Sequence, residues 1–107
     1  MIDWDDSAKM LKYCAHPVRL QILKHLLGGP CCVQETMTHI AGKALSQPNL
    51  SQHLLALKSA GLVDFRKNGA QRCYFICRPT LVIALMAVLE KEHVYMECEK
   101  AVEMMNS

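Results

Sequence analysis

Residues 46–60, SQPNLSQHLLALKSA, decide how this chain is read, and Gly61-Leu62-Val63 follow at once. Leu50, Leu54 and Leu57 stand at i, i+4 and i+7, one apolar stripe of a helix. Ser46 suits the N-cap, where its hydroxyl oxygen accepts from a first-turn amide. Pro48 falls in the first turn, where a missing N–H costs little. Gly61 stands where a helix closes on a left-handed residue. The opposite side carries Pro48, Ser51, Gln52 and Ser59, flanked by Asn49 and His53, and Lys58 is the one full charge in the stretch. Solvated surface helices are normally laced with Lys and Glu. Short amide and hydroxyl side chains near a helix N-terminus can instead contact phosphates and read base edges. The plainer alternative is an amphipathic helix with an amide-rich surface.

Working outward, the flanking segments fit a groove-reading helix. Residues 32–41 form a preceding helix with the stripe Val33, Met37, Ile40 and Ala41. A Gly42-Lys43-Ala44-Leu45 connection leads into Ser46, and two short helices so joined make a helix-turn-helix. Before them, residues 17–27 open on Pro17, turn Val18, Ile22, Leu23 and Leu26 inward, and stop at Gly28-Gly29-Pro30. Residues 3–14 form a first helix, with Trp4, Ala8, Leu11 and Ala15 in register and Asp3, Asp5 and Asp6 at its start. Downstream, 62–66 and 72–77 are β-rich runs around Asn68-Gly69, a hairpin signal. Arg66, Lys67, Gln71 and Arg72 crowd its tip, where they can sit on phosphates or in a minor groove. Pro79 opens a last helix running to about residue 104, with Val82, Leu85, Met86, Leu89, His93 and Met96 as its stripe. It is too long for a core of this size to cover. With the first helix it is expected to form a two-fold dimer interface.

The chain has 107 residues, enough for a single domain with a modest core. At 51% apolar content it is globular, and the absence of any apolar run of about 18 residues argues against a transmembrane helix. The start, MIDWDDSAKM, is acidic and lacks the apolar core of a signal peptide. A cytoplasmic location with reduced cysteines is therefore expected. Net charge is only +2, but ten Lys and Arg lie between residues 9 and 78 against Glu35 and Asp64, while both ends are acidic. A basic middle between acidic ends suits a polyanion-binding surface.

In this order the chain resembles the ArsR/SmtB family of winged-helix transcriptional repressors. Residues 15–23, AHPVRLQIL, resemble that family's opening of the second helix. Residues 46–54, SQPNLSQHL, resemble its recognition helix, and 57–63, LKSAGLV, its run into the wing. The connection before Ser46 is about one residue longer than usual. The resemblance spans roughly residues 8–92. It implies a mainly α fold with a β-hairpin wing, a single winged helix-turn-helix domain over 1–107. The order is four helices, the hairpin and a fifth helix, with a homodimer formed through 1–15 and 79–107. It implies a cytoplasmic repressor, not an enzyme, that binds a double-stranded operator and leaves when an inducer arrives. Ser46, Gln47, Asn49, Ser51, Gln52 and His53 would meet DNA, with Arg66, Lys67 and Arg72 from the wing.

Six cysteines, at 14, 31, 32, 73, 77 and 98, bear on the inducer. Arsenic-sensing relatives carry Cys-Val-Cys at the start of the third helix. Here Cys32-Val33 match its first two positions, Gln34 replaces the second Cys, and Cys31 is extra. Placed at a helix N-terminus, Cys31 and Cys32 are expected to have lowered thiol pKa values. With Cys14, or alternatively Cys98, as third ligand they would form the trigonal sulfur site of As(III) or another soft ion. No obligatory cofactor is implied. Cys73 and Cys77 read as core filling. The family's zinc pattern is missing, because Pro79-Thr80-Leu81 stand where it would start, although Glu90, His93 and Glu97 share a helix face. A reactive-sulfur sensor would carry a Cys where Lys24 stands. The alternatives are a cysteine-based redox or reactive-sulfur-sensing repressor, and a winged-helix protein-interaction module without an inducer.

Overall fold

A left-handed glycine at each of three junctions sets where this chain turns. The computed structural model describes residues 1–40, 45–91 and 103–106. Its elements are α1 (Trp4–Cys14), α2 (Pro17–Leu26), β1 (Cys31–Cys32), α3 (Val33–His39), α4 (Gln47–Ser59), β2 (Val63–Asn68), β3 (Gln71–Ile76) and α5 (Pro79–Lys91). This is a winged helix-turn-helix, with α3 and α4 as the helix pair and β2–β3 as the wing. Residues 103–105 are again helical. The predicted continuation of α5 across His93, Met96 and Glu97, the Gly42-Lys43-Ala44 connection, Ala41 and Cys98 all lie outside the described residues. No helix among the described residues is long and apolar enough to cross a membrane.

The caps follow from local chemistry. Asp3 accepts from the Asp6 amide at 3.1 Å to start α1. His16, held extended ahead of Pro17, accepts from the Val18 amide through Nδ1 at 3.1 Å and starts α2. Ser46 Oγ accepts from the Asn49 amide at 3.2 Å and starts α4. At the far end of α4, the Leu62 amide donates to the Leu57 carbonyl and the Gly61 amide to that of Lys58, with Gly61 at φ +76°. That is the Schellman closure, and it delivers Leu62, fully buried, against the helix it ends.

Leu50, Leu54 and Leu57 are 0% exposed and form the middle of the core with Ile22, Leu23, Leu26, Leu62 and Val82. Thr36 is buried too, and its hydroxyl donates to the Cys32 carbonyl at 3.0 Å. The predicted α1 stripe faces outward instead, while the α5 stripe turns Val82, Leu85 and Met86 inward as expected and, among the described residues, exposes only its Leu89. On α1 the inward residues are Met10 and Cys14, while Trp4 and Leu11 are 75% and 56% exposed. On α5 Val82 and Met86 point inward, leaving Ile83, Val88 and Leu89 on the surface.

The sheet has three antiparallel strands in the order β1-β3-β2, one more than the hairpin expected. Cys31 and Cys32, expected on a loop at the head of a helix, are that third strand, paired with Tyr74 and Cys73. Asn68 pairs with Gln71, so the two-residue turn is Gly69-Ala70 rather than Asn68-Gly69. Gly69 takes φ +65°, the positive value a type II′ connection needs at its first loop position. Cys73 is half-buried and Cys77 lies exposed just beyond β3, so neither fills the core as expected.

Leu54 is fully enclosed, so Leu54→Ala opens a cavity and is expected to cost about 3 kcal/mol of unfolding free energy. The same truncation at exposed Leu55 is expected to cost less than about 0.5 kcal/mol. Urea unfolding of both variants checks the contrast.

Candidate functional site

The buried Leu stripe leaves α4 one way to sit, and its other side is presented outward. Ser46, Gln47, Asn49 and Gln52 are exposed and Ser51 is half-exposed. Ser46 spends its oxygen on the Asn49 amide and keeps a hydroxyl proton to donate. Across from this surface stands the wing. A cleft of about 470 Å³ opens between them, lined by Val33 and Gln34 of α3, Gln47 and Ser51 of α4, and Ala70, Gln71, Arg72 and Tyr74 of the wing. Gln71, expected at the wing tip, lines this surface, and Gln34 joins it without having been expected as a contact. Gln34 does not stand out in the sequence, because the cleft exists only once the wing folds back beside α3.

Lys67 and Arg72 are cross-strand partners near the wing tip. Like charges directly opposite destabilise a ladder, so this placement serves an external anion better than it serves the hairpin. The Arg72 guanidinium stacks over the Phe65 ring at 4.7 Å. Arg66 leaves the opposite face of the wing, over Phe75 at 5.7 Å, and does not line the cleft. The predicted wing contacts are thus split, with Lys67 and Arg72 on one face and Arg66 on the other.

His53 is placed differently from its neighbours. It is half-buried and turned back onto α2, where its Nδ1 accepts from Arg19 Nε at 3.2 Å and its ring lies 4.4 Å from that of His16. Arg19 also donates to the Tyr13 carbonyl, so one guanidinium ties α4 to the end of α1. Only the packing of α2 on α4 gives Arg19 this partner.

This geometry meets its match among known proteins. Residues 16–64 match the bacterial regulatory proteins of the arsR family. The HTH-type transcriptional regulator YgaV of Escherichia coli is 36% identical over 80% of this chain and 84% of its own length. The chain belongs to the ArsR family. Two solved structures share the ArsR-like fold. The homodimeric winged helix-turn-helix DNA-binding domain Mb0332 of Mycobacterium bovis has a TM-score of 0.70 at 30% identity, covering 88% of this chain and 89% of that one. The repressor BigR of Xylella fastidiosa has a TM-score of 0.68 at 34% identity, covering 79% and 87%. ArsR proteins are DNA-binding regulators, and this chain is not an enzyme.

Of the ligands expected from the ArsR resemblance, Cys14, Cys31 and Cys32 are not brought together, and Cys98 lies outside the described residues. Among the described residues, no three His, Cys, Asp or Glu side chains come together as a metal-holding group. The reason is the strand. Successive residues of a strand point to opposite faces, so Cys31 and Cys32 diverge. Cys31 is buried, 3.3 Å from His25 Nε2, and donates to Glu35 Oε2 at 3.3 Å. Burial raises its thiol pKa. A hydrogen bond with Thr36 opposes the rise and the Glu35 carboxylate adds to it, so the expected lowering is reversed. Cys14 is buried at the end of α1, and its pKa is raised by burial as well. Cys32 is the N-cap residue of α3, yet its side chain makes no capping hydrogen bond. Glu90, one of three residues expected to share a face, is ion-paired with Lys24 at 2.7 Å.

Burial lowers the His53 pKa, and the neighbouring His16 and Arg19 lower it further. The unfolded chain therefore takes up this proton first. The stabilisation is complete above about pH 6.5 and is lost as pH falls from there through the lower folded value. His53→Gln keeps an acceptor for Arg19 and removes the titration. Its thermal midpoint is expected to fall less between pH 7.5 and pH 5 than that of the unaltered protein, as calorimetry would show.

Proposed function

We propose that this protein is a homodimeric, sequence-specific, cytoplasmic repressor that leaves its DNA operator when a thiol-reactive agent modifies its cysteines. The observation that carries the reading is the pairing, across one cleft, of the amide-bearing side of α4 with the cationic wing. Gln47 and Ser51 form one wall and Gln71 and Arg72 the other. A helix whose outer side bears Ser46, Gln47, Asn49, Ser51 and Gln52 enters the major groove by its N-terminal half, where Asn and Gln pair with adenine edges. Lys67, Arg72 and, from the wing's other face, Arg66 neutralise phosphates alongside it. In this reading His53 holds α4 against α2 rather than meeting DNA.

A two-fold dimer supplies the second half-site. The outward apolar residues Trp4 and Leu11 of α1 and Ile83 and Val88 of α5 fit that interface, since large apolar groups at the surface of a small domain mark association sites. The homodimeric state of the Mycobacterium bovis neighbour supports it. Release is assigned to covalent change at thiols rather than to a three-thiolate ion, because Cys14, Cys31 and Cys32 do not converge. The naming of a relative as a repressor supports the direction of regulation.

The test starts from a duplex that the protein itself enriches from a random-sequence pool. Affinity for it is expected to fall on the order of a thousandfold between about 50 and 200 mM salt. Gln52→Ala and Arg72→Ala are each expected to weaken binding by about 1–3 kcal/mol while the dimer persists in sedimentation. A pool that yields no enriched duplex, or variants that bind as tightly as the parent, would leave a protein-interaction module as the better reading.

A further inference from the structure

The two cysteines that meet across the sheet are Cys32 and Cys73, register partners between β1 and β3. Their ladder position can be fixed. In an antiparallel pair, directly opposite residues alternate between hydrogen-bonded and non-hydrogen-bonded sites. The Cys77 amide donates to the Leu62 carbonyl at 2.9 Å, one register step beyond Val63 and Ile76. Leu62–Cys77 is thus a hydrogen-bonded site, and so is Arg66–Cys73 four residues along β3. A strand residue sends its N–H and C=O to the same side, so Cys73 spends both on β2. Toward β1, Cys73 and Cys32 therefore stand at a non-hydrogen-bonded site, where Cα atoms come to about 4.5 Å and side chains are closest. That spacing lies inside the range a disulfide spans, roughly 4.4–6.8 Å between Cα atoms.

The other described thiols are badly placed to compete. Cys31 lies on the core side of the sheet and Cys14 is buried under α1. Cys77 is four residues from Cys73, about 13 Å along an extended chain. Cys32 and Cys73 are both half-exposed, and a groove lined by Pro30, Arg66, Cys73 and Phe75 opens beside them to small reagents.

We propose that Cys32 and Cys73 are a modification site that closes to a cross-strand disulfide when a low-molecular-weight disulfide meets the native protein. One thiol, as thiolate, attacks a sulfur of the reagent, forming a mixed disulfide and expelling one reagent thiol. The second cysteine attacks the protein sulfur of that mixed disulfide and expels the other. The pair loses two electrons and two protons, and the reagent becomes two thiols. The bond joins the residue at the N-cap position of α3 to the middle of the wing strand β3. Its neighbours Val33 and Gln34 on one side, and Gln71 and Arg72 on the other, line the cleft facing α4. Closure takes away the cleft's freedom to adjust around a duplex. That last consequence rests on the DNA-binding reading above; the disulfide itself does not.

The native protein is treated with oxidised glutathione, remaining thiols are alkylated, and the unreduced peptides are mapped by mass spectrometry. A dominant Cys32–Cys73 crosslink is expected, with Cys14 and Cys31 alkylated only after unfolding. Cys73→Ser should leave Cys32 as the glutathione adduct, whereas Cys77→Ser should crosslink as the parent does. No crosslink, or one joining Cys32 to another cysteine, overturns the site. For the coupling, crosslinked protein should bind the enriched duplex at least tenfold more weakly than reduced protein, with dithiothreitol restoring binding. Equal or tighter binding by the crosslinked form refutes the coupling and leaves both the site and the operator reading intact. Failure of reduced protein to bind DNA refutes the operator reading alone, and the peptide map still decides the site.

Discussion

Leu50, Leu54 and Leu57 have no surface left in contact with water, and the rest of α4 answers to that. Full burial of three leucines is worth several kcal/mol, a large part of the stability of a domain this size. Rotating α4 by even a third of a turn would expose them and bury Gln47, Asn49 or Gln52 without partners. The orientation of the amide-bearing side is thus a by-product of the core. The caps sharpen it. Ser46 fixes where the helix begins, and the Gly61 closure drives Leu62 back into the core, which fixes where β2 departs. The wing stands beside α4 because Ala60, Gly61 and Leu62, which end the helix, also launch the strand.

The helices were legible because each carries a stripe at helical spacing, and Asp3 and Ser46 add caps that only certain residues supply. What periodicity could not say was which apolar side faces inward. α1 and α5 are apolar on more than one side, and Trp4 or Leu11 looks no less like core than Met10 does. In the structure the inward choice goes to Met10, Cys14, Val82 and Met86, the residues that α2 and α4 can reach. The surplus is left on the surface as a face that a second copy can cover. The short strand Cys31–Cys32 could not be read at all. Two residues have no period, and their pairing partner lies beyond the whole helix-turn-helix.

That missed strand changes what the cysteines mean. Read as the head of a helix, two adjacent thiols look like one chelating group with an acidified sulfur. As strand residues they part, one into the core beside His25 and Glu35, the other to the outer face beside Cys73. Adjacency in sequence is then the feature that keeps them apart, and separation in sequence does not hinder the pair that meets. The buried thiol is held protonated by its surroundings, so burial protects it where a helix terminus would have activated it.

The outer pair also lies next to the cleft between the helix pair and the wing. β1 is two residues long, and a strand of that length adds few hydrogen bonds to the sheet. It is the short seam through which the helix pair meets the wing. The helix pair is attached to it at Val33, and the cleft residues Gln71 and Arg72 precede Cys73 directly on the partner strand. A bond across this seam would tie the helix pair to the wing directly, whereas a bond within the Leu-rich core would join parts already packed together. Where the outward side chains of α4 are set by a buried Leu stripe, the place left for adjustment is the seam between helix pair and wing.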